Sequence, residues 1–352
     1  MRCLTLADAL RRRGNECSFI SREHTGNLFD LIEKRGFPIH VLPRAREHLI
    51  ESEERSESVL EYFAWLGVDW EVDAQQTLAH LLDTQADWLI VDQYALDERW
   101  EKLLRPHCKK LLVIDDLANR KHVCDVLLDQ NLGRDSKDYD TLVPNHCIRL
   151  IGPQNALLLP DFASLREYSL RRREAPILRR ILIAMGGVDQ PNAAGKVLEA
   201  LMGCQLSADC NITVVMGGNA PWTEQVRAIA ANMPWPTEVL IDIPDMARIM
   251  ARSDLSIGSA GTTSWERCCL GLPTLLVVLA DNQKLAALHM TRTGVCHMLL
   301  LDQTLASTLQ HFIRQTIFRP NWLKVMSSKA SAITEGNGSE FVIKAMMHSG
   351  KI

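Results

Sequence analysis

Short apolar runs of strand length alternate along the chain with longer segments whose apolar residues recur at helical spacing. In the first half the strand-like runs lie at 16–22, 37–43, 86–94, 109–116 and 124–130. In the second half they lie at 179–187, 210–218, 237–242, 253–259, 273–279 and 295–301. Strands that alternate with helices are typical of parallel sheets covered on both faces, so the pattern predicts an α/β protein with doubly wound sheets.

The helix-length segments stop at residues that end helices. Residues 1–14 have apolar positions at helical spacing up to Gly14. The tail at 305–348 has helical composition and is interrupted at Pro320 and again at 336–338. Glycine after a last turn and proline inside a pattern both mark helix ends, so we expect separate helices between these points.

A break in the pattern divides the chain. Residues 160–178 mix charges with proline and lack the strand rhythm found on either side. We therefore expect a linker there, between an N-terminal Rossmann-like domain at 1–160 and a C-terminal one at 179–352. Whether the last helix returns to the first domain is an open question at this point. A length of 352 residues suits two domains of roughly 150 residues each.

The charge balance argues against a nucleic-acid partner. The 39 Lys and Arg residues are outnumbered by 43 Asp and Glu residues, for a net charge of −4, whereas duplex-binding surfaces are basic. The longest apolar run, 272–280, is far shorter than the roughly 18 residues of a membrane span. Ten cysteines without a C-x-x-C spacing are typical of reduced thiols, and no secretory signal is recognisable, so we expect a cytoplasmic protein without a membrane partner.

A glycine pair follows the first strand of the second half. The segment AMGGVDQPN places Gly186 and Gly187 at the strand end, just before a helix. Glycines there allow backbone N–H groups to approach a phosphate. An ordinary tight turn is the favoured interpretation of a lone Gly-Gly, and neither the G-x-G-x-x-G spacing nor the Walker spacing is present.

The segment GSAGTTSWERCCLGLP at 258–273 points more specifically to a nucleotide. It places a turn of small residues after a strand and Glu266 about one helical turn later. The N–H groups of Gly261, Thr262 and Thr263 suit phosphate oxygens, and a carboxylate at Glu266 suits ribose hydroxyls. An ordinary capped helix start explains the same spacing. Asp281-Asn282-Gln283, at the end of the next strand, favours the nucleotide site.

These motifs carry a family resemblance. With VDQYALDERWE at 91–101, the segment 114–134, the AMGGVD loop and IDIPDMARIM at 241–250, they resemble the UDP-2,4-diacetamido-2,4,6-trideoxy-beta-L-altropyranose hydrolases of pseudaminic acid biosynthesis. That family is similar to the GT-B glycosyltransferases. The resemblance covers nearly the whole chain and implies two Rossmann-like domains facing a cleft. It also implies a monomer without metal or organic cofactor that hydrolyses the UDP-sugar to UDP and 2,4-diacetamido-2,4,6-trideoxy-L-altrose.

The resemblance further implies roles for individual residues. Ile243 and Met246 would line the uracil pocket, Glu266 would hold the ribose, and Gly261, Thr262 and Thr263 would hold the diphosphate. Asn282, Gln283 and Tyr94 would face the sugar or pyrophosphate, with Tyr94 and Asn282 in catalytic positions, and Gly186, Gly187 and Asp189 would form the loop at the domain boundary.

The chain departs from the family pattern at its start. Family members begin with a strand and the loop G-x-G-H-x-x-R-C-L-x-L-A, whose His is the expected base, and MRCLTLA at 1–7 matches only the end of it. We therefore expect the catalytic His to lie before Met1. His24, Asp115 and Asp116 are substitute candidates, although solvated turns or helix caps explain them more simply.

Two further hypotheses about function stay open. One is a protein that binds a UDP-sugar with little catalysis, and the other is a GT-B glycosyltransferase with a UDP-sugar donor. A metal site is not predicted, because His107-Cys108, His122-x-Cys124 and His146-Cys147 lack the four-ligand spacing of zinc sites. Core positions are expected for Cys268, Cys269, Trp65, Trp70 and Trp88.

Overall fold

A computed structural model describes residues 1–24, 26–44, 65–82, 85–279 and 283–349. The chain divides into two compact units. Unit 1 comprises Met1–Leu157 together with Ser339–Ile352, and unit 2 comprises Leu158–Gly338. None of the helices described is long and apolar enough to cross a membrane.

Unit 1 contains two parallel sheets and the helices that cover them. A two-stranded sheet pairs β1 (Phe19–Arg22) with β2 (Ile39–Leu42). A four-stranded sheet has the order β3 (Ala86–Val91), β4 (Cys108–Ile114), β5 (Val126–Asp129) and β6 (Ile148–Ile151). The α-helices among its described residues are α1 (Arg2–Arg11), α2 (Phe29–Lys34), α3 (Trp70–Leu81), α4 (Glu98–Leu104) and, after unit 2, α13 (Gly338–His348). Strand β6 was not predicted from the sequence.

Helix α1 packs with apolar residues of both sheets. Leu6 and Ala9 belong to a buried cluster with Leu112 and Ile114 of β4, to which α13 also contributes. Leu4 and Ala7 belong to a second cluster, against which residues of β1 and β2 pack. The helical spacing of apolar residues in 1–14 therefore gives α1 two buried faces, and the predicted end at Gly14, with a φ of +80°, is confirmed.

Unit 2 contains one six-stranded parallel sheet. Its strands are β7 (Arg180–Ala184), β8 (Asn211–Met216), β9 (Thr237–Ile241), β10 (Leu255–Ser259), β11 (Thr274–Val277) and β12 (His297–Leu299). The order across the sheet is β12-β11-β10-β7-β8-β9, so the direction of winding reverses between β7 and β10. In open parallel sheets, ligands bind at the carboxyl ends of the strands beside such a reversal.

One helix of unit 2 precedes its first strand, and the others lie between or after the strands. They are α5 (Pro160–Arg172), α6 (Ala193–Met202), α7 (Thr223–Ala231), α8 (Met246–Arg252), α9 (Thr263–Cys269), α10 (Lys284–Arg292), α11 (Leu305–Phe318) and α12 (Asn321–Ser331). Helix α11 ends just before Pro320 and α13 begins at Gly338, as the interruptions of the tail predict. Apolar residues of α6 and α11, among them Leu198 and Phe312, pack against alternate residues of the central strands in one buried core.

The expected linker at 160–178 is wrong in part, because most of it is helix α5. The helix begins with Pro160 at its first position, where a missing N–H costs nothing. Its polar residues bind carbonyl groups inside unit 2: Arg166 donates to Ser331 at 2.8 Å, and Ser169 donates to Leu270 at 2.7 Å. The units therefore divide after Leu157 rather than at 160–178. The last helix, whose domain the sequence did not decide, lies in unit 1.

The expected core tryptophans are only partly buried. Trp65 is 46% exposed and lies with its ring centroid 6.1 Å from that of Tyr94, so its predicted core position is wrong. Trp70 and Trp88 have intermediate exposure. In contrast, Cys268 and Cys269 are buried as predicted.

Candidate functional site

Two turns meet at the reversal point of the unit 2 sheet. One turn follows β7 and contains Gly186 and Gly187; the other follows β10 and begins at Ser259. Gly186 has a φ of +93°, which glycine adopts without strain. A Cβ atom on Gly186 would lie 3.7 Å from Oγ of Ser259, so the two predicted turns are in contact.

A third glycine turn, after β8, joins this edge and was not singled out from the sequence. A Cβ atom on Gly217 would lie 2.0 Å from the carbonyl oxygen of Gly187, so only glycine fits there. The next residue, Gly218, donates its N–H to Oδ1 of Asp242 at 2.7 Å, which links the ends of β8 and β9. The sequence did contain a signal, because Met-Gly-Gly follows both β7 and β8.

The turn Gly261–Thr263 offers unused hydrogen-bond donors. Within the described part of the chain, the backbone N–H groups of Gly261, Thr262 and Thr263 donate no hydrogen bond, and neither do the two threonine hydroxyls. Gly261 has a φ of +145°, and a Cβ atom on it would meet no atom within 4 Å. Gly261 and Thr262 are exposed. A turn with several free N–H groups can accept an anion.

Glu266 lies on α9, after this turn, and is half-buried. Its carboxylate has no hydrogen-bond donor among the residues that the structure describes. Burial raises the pKa of Glu266 to about 7, and the charge of Arg267 opposes that shift in part. A recessed carboxylate without a donor can accept hydroxyl groups of a bound ligand.

Arg267, the next residue, is a buried charge that sequence reasoning missed. It is 2% exposed, and its Nη2 donates to the carbonyl of Ser259 at 2.6 Å and to Oγ of Ser264 at 3.0 Å. The guanidinium therefore joins the two ends of the turn after β10. Sequence gave no signal for this position, because an arginine beside a glutamate in a first helical turn usually lies at the surface.

The remaining predicted residues of unit 2 divide into three groups. Ile243 and Met246, in the loop after β9 and at the first position of α8, are half-buried apolar residues. Gln283 accepts the N–H of Leu279 through Oε1 at 3.1 Å, so its side chain spans the loop after β11. Asn282, predicted as catalytic, lies outside the described residues.

Asp189 uses its carboxylate in hydrogen bonds at the start of α6. It is buried, and its two carboxylate oxygens accept the N–H groups of Ala193 and Ala194 at 2.7 and 2.9 Å. Burial raises the pKa of Asp189. Asp189 therefore caps the start of α6 and fixes the end of the Gly186 loop, and its contact with substrate stays a prediction.

In unit 1, Tyr94 belongs to a polar group at the carboxyl ends of β3 and β4. Its hydroxyl donates to Oδ2 of Asp116 at 2.6 Å, and Nη1 of Arg2 donates to the same oxygen at 2.6 Å. Arg2 also donates to both carboxylate oxygens of Asp92 at 2.7 and 3.0 Å. Burial raises the pKa of the Tyr94 phenol, so the hydroxyl remains a donor at neutral pH.

Asp115, one of the substitute bases, is structural. Its buried carboxylate accepts the N–H of Ala118 at 2.9 Å, Nη1 of Arg120 at 2.8 Å and the hydroxyl of Tyr139 at 3.0 Å. Burial opposes its ionisation, but Arg120 and His122 outweigh burial and hold the pKa of Asp115 below its usual range. A carboxylate so fully occupied is a poor proton acceptor, so the simpler explanation as a turn is supported.

His122 and Cys124 also have structural surroundings. Nδ1 of His122 is hydrogen-bonded to buried Glu101, whose other oxygen accepts the N–H of Val123 at 2.6 Å. The Sγ atoms of Cys124 and Cys147 lie 3.6 Å apart. Throughout the described residues, no group of three or more His, Cys, Asp or Glu side chains is placed to hold a metal ion.

Comparison with known proteins adds relatives by sequence. Residues 181–340 match the family model of the glycosyltransferase family 28 C-terminal domain. A protein of Methanocaldococcus jannaschii is 29% identical over 217 residues, which is 60% of this chain and 44% of that protein. The spore coat polysaccharide biosynthesis protein SpsG of Bacillus subtilis is 32% identical over 137 residues, 39% of each chain. The chain thus spans less than half the length of these two relatives.

A third relative has a named activity. The UDP-2,4-diacetamido-2,4,6-trideoxy-beta-L-altropyranose hydrolase of Campylobacter jejuni subsp. jejuni is 25% identical over 207 residues, 58% of this chain and 71% of that enzyme.

Solved structures share the fold at low identity. The structure of MurG from Acinetobacter baumannii has a TM-score of 0.70 at 18% identity and covers 99% of this chain and 95% of its own. The UDP-GlcNAc 2-epimerase of Neisseria meningitidis, bound to UDP-GlcNAc, has a TM-score of 0.59 at 10% identity, with 95% of this chain and 100% of its own covered. The chain therefore has a GT-B-like α/β fold, and its second unit carries the match to the C-terminal domain of glycosyltransferase family 28.

Proposed function

We propose that this protein hydrolyses a UDP-sugar, UDP-2,4-diacetamido-2,4,6-trideoxy-beta-L-altropyranose, to UDP and the free sugar. The observation that carries the proposal is the turn Gly261–Thr263. Its three free N–H groups lie at the reversal point of a doubly wound sheet, and the donor-free carboxylate of Glu266 follows a few residues later. This combination suits a ribose linked to a diphosphate.

In this proposal each part of unit 2 holds one part of UDP. The N–H groups of the turn bind the diphosphate, and Glu266 accepts the two ribose hydroxyls. Ile243 and Met246 offer apolar surface to the uracil, and the glycines after β7 and β8 keep side chains away from the bound nucleotide. Ile243 and Met246 are half-buried, and ligand pockets are lined mainly by apolar side chains, which supports the role proposed for these two residues.

The proposed reaction breaks the bond between the anomeric carbon and the oxygen of the β-phosphate. The oxygen of water forms the new bond to that carbon, its proton passes to a base, and UDP leaves with the bonding electron pair. The donors of the Gly261–Thr263 turn stabilise the charge that develops on UDP. Tyr94 remains the proposed catalytic residue of unit 1, together with Asp116, whose Oδ2 it binds. No metal or organic cofactor is part of the proposal.

Hydrolysis is preferred because of the relative with that activity, which aligns over 71% of its own length. A second candidate is transfer of the sugar to an acceptor other than water, favoured by the match to a glycosyltransferase family model. A third is binding of the UDP-sugar without efficient turnover. All three need the same nucleotide site, so they differ only in the fate of the sugar once the nucleotide has bound.

The test is incubation of the protein with this UDP-sugar in ¹⁸O-labelled water, followed by mass spectrometry of both products. Hydrolysis as proposed places the label on the sugar, whereas attack at phosphorus places it on UDP. A product that forms only with an added acceptor identifies a transferase, and binding without product identifies a binding protein.

The variant Glu266→Gln should weaken UDP binding, and Glu224→Gln, on the exposed surface of α7, is the matched control. Absence of UDP binding by the unaltered protein contradicts the proposal.

A further inference from the structure

The buried guanidinium of Arg267 lies directly under the turn that the proposed function assigns to the diphosphate. Its two hydrogen-bond partners, Ser259 and Ser264, flank that turn on both sides. A Cβ atom on Gly258 would lie 2.1 Å from Nη1 of Arg267 and 2.7 Å from the carbonyl oxygen of Ala184. The charge is therefore located between the ends of β10 and β7, where the sheet reverses.

No salt bridge to the described residues balances this charge, and the attraction of Glu266 offsets the effect of burial only in part. No carboxylate oxygen among them lies within 4.0 Å of the Arg267 guanidinium, including the neighbouring Glu266. Its Nε is buried without a hydrogen-bond partner. Burial lowers the pKa of Arg267, which is the expected effect on a cation removed from water. A buried cation without an ion-pair partner destabilises a fold strongly, so its position requires an explanation.

Arg173 is also buried, its Nε likewise has no partner among the described residues, and burial lowers its pKa to about 9, but its other two nitrogens have more partners than those of Arg267. Its guanidinium donates to the carbonyls of Ser169, Met250 and Ser253 at 2.7, 3.2 and 2.9 Å, and also to Oγ of Ser169 at 2.7 Å. Met250 and Ser253 lie at the carboxyl end of α8, where the helix dipole favours a cation. The guanidinium of Arg267 has two hydrogen-bond acceptors, and neither lies at the carboxyl end of a helix.

We propose that Arg267 is a positioning residue that holds the Ser259–Ser264 turn in shape and supplies the positive charge that a bound phosphate group neutralises. The inference rests on the proposed function, because the phosphate group is that of the UDP moiety. Arg267 acts through the turn and through its field, without touching the ligand. For a unit anion about 6 Å from a cation, at an effective dielectric constant near 20, Coulomb's law gives a roughly 100-fold strengthening of binding.

The test compares UDP with uridine, which has the same base and ribose but no phosphate. Calorimetric or NMR titration gives the ratio of the two dissociation constants for the unaltered protein, Arg267→Met, Arg267→Lys and the control Arg173→Met. We expect Arg267→Met to reduce the preference for UDP over uridine roughly 10- to 100-fold, Arg267→Lys to restore part of it, and Arg173→Met to leave it unchanged. General damage to the fold weakens both ligands equally, so an unchanged ratio in Arg267→Met overturns the inference.

A second arm uses inorganic pyrophosphate and separates this inference from the proposed function. If the unaltered protein binds no UDP, the proposed function fails. Stabilisation of the protein by pyrophosphate against thermal unfolding, lost in Arg267→Met and retained in Arg173→Met, then still supports an anion site above Arg267. If pyrophosphate has no such effect in that case, the inference fails as well.

Discussion

The Arg267 guanidinium fills the position next to Gly258 that a larger side chain there would need: a Cβ atom at position 258 would lie 2.1 Å from Nη1 of Arg267. The backbone carbonyl oxygen of Ala184 would lie 2.7 Å from the same Cβ atom, so a movement of the Arg267 side chain alone does not make room for the methyl group. We expect Gly258→Ala to lower the free energy of unfolding by about 1–3 kcal/mol, the usual result of overpacking, and to weaken UDP binding. Urea denaturation and UDP titration measure the two effects.

The control for this variant is Gly187→Ala. A Cβ atom there meets nothing within 4 Å, so the free energy of unfolding should change by no more than about 0.5 kcal/mol. Equal stability of Gly258→Ala and the unaltered protein would show that the turn can relax around the added methyl group.

Binding of a nucleotide sugar should strengthen as the pH rises from 6 to 8. Burial raises the pKa of Glu266 to about 7, and ribose hydroxyls donate best to the ionised carboxylate. If only that form binds, the dissociation constant should fall about tenfold across this range. UDP-GlcNAc is the suitable probe, because its diphosphate lacks the terminal ionisation that UDP has near pH 6. Glu266→Gln should bind more weakly and without this pH dependence; a parallel slope in both proteins would assign the titration to another group.

Ionisation of Glu266 should lower the stability of the protein as the pH rises, whereas it should strengthen binding of the nucleotide sugar. The folded-state pKa of Glu266 lies above its ordinary value of 4.5, so the folded protein binds the extra proton between about pH 4.5 and 7. The contribution of Glu266 to the free energy of unfolding is therefore complete below that window and is lost as the pH rises through it. The difference in stability between Glu266→Gln and the unaltered protein, measured by urea denaturation, should increase in favour of the variant from pH 5 to pH 8. A constant difference would contradict the assignment.

Tyr94→Phe should reduce the rate of UDP release about 100-fold, with KM within a few-fold of the original value. The variant removes the hydroxyl that donates to Oδ2 of Asp116 and leaves Arg2 as the one donor to that oxygen among the described residues. Tyr168→Phe, at an exposed tyrosine of α5, is the control and should leave both constants unchanged. Full activity of Tyr94→Phe would remove Tyr94 from the catalytic group.

Tyr139→Phe should destabilise unit 1 without changing UDP binding. The buried hydroxyl lies 3.0 Å from Oδ2 of Asp115 and 2.8 Å from Oδ2 of Asp129, so the variant removes the single phenolic proton that the two buried carboxylates share. We expect a loss of about 3 kcal/mol in the free energy of unfolding, measured in urea. Burial raises the pKa of Asp129 to about 6, and loss of the donor should raise it further. A loss below about 0.5 kcal/mol, typical of surface changes, would contradict this expectation.

The order of strands and helices could be predicted from the chain because it depends on local periodicity. The apolar runs at 179–187 and 253–259 correspond to β7 and β10, and Gly14 and Pro320 lie just beyond helix ends where expected. The turn at Gly261–Thr263 was also recognisable, since small residues between a strand and a helix are a local signal. The sequence could not show that α5 belongs to unit 2. Polar residues of that helix bind carbonyl groups that are distant in the chain, such as those of Leu270 and Ser331.

The sequence by itself determined the parallel α/β pattern, the glycine turns and Glu266 as a candidate for ribose. Only the tertiary structure decided which side chains these turns leave free. Asp189 and Asp115 are adjacent to turns in the sequence, yet buried N–H groups and cations occupy their carboxylates. Arg267 resembles a surface residue in the sequence, but the neighbouring strands at Gly258 and Ala184 enclose it. Burial and hydrogen-bond partners come from residues far apart in the chain, and a local pattern carries no information about them.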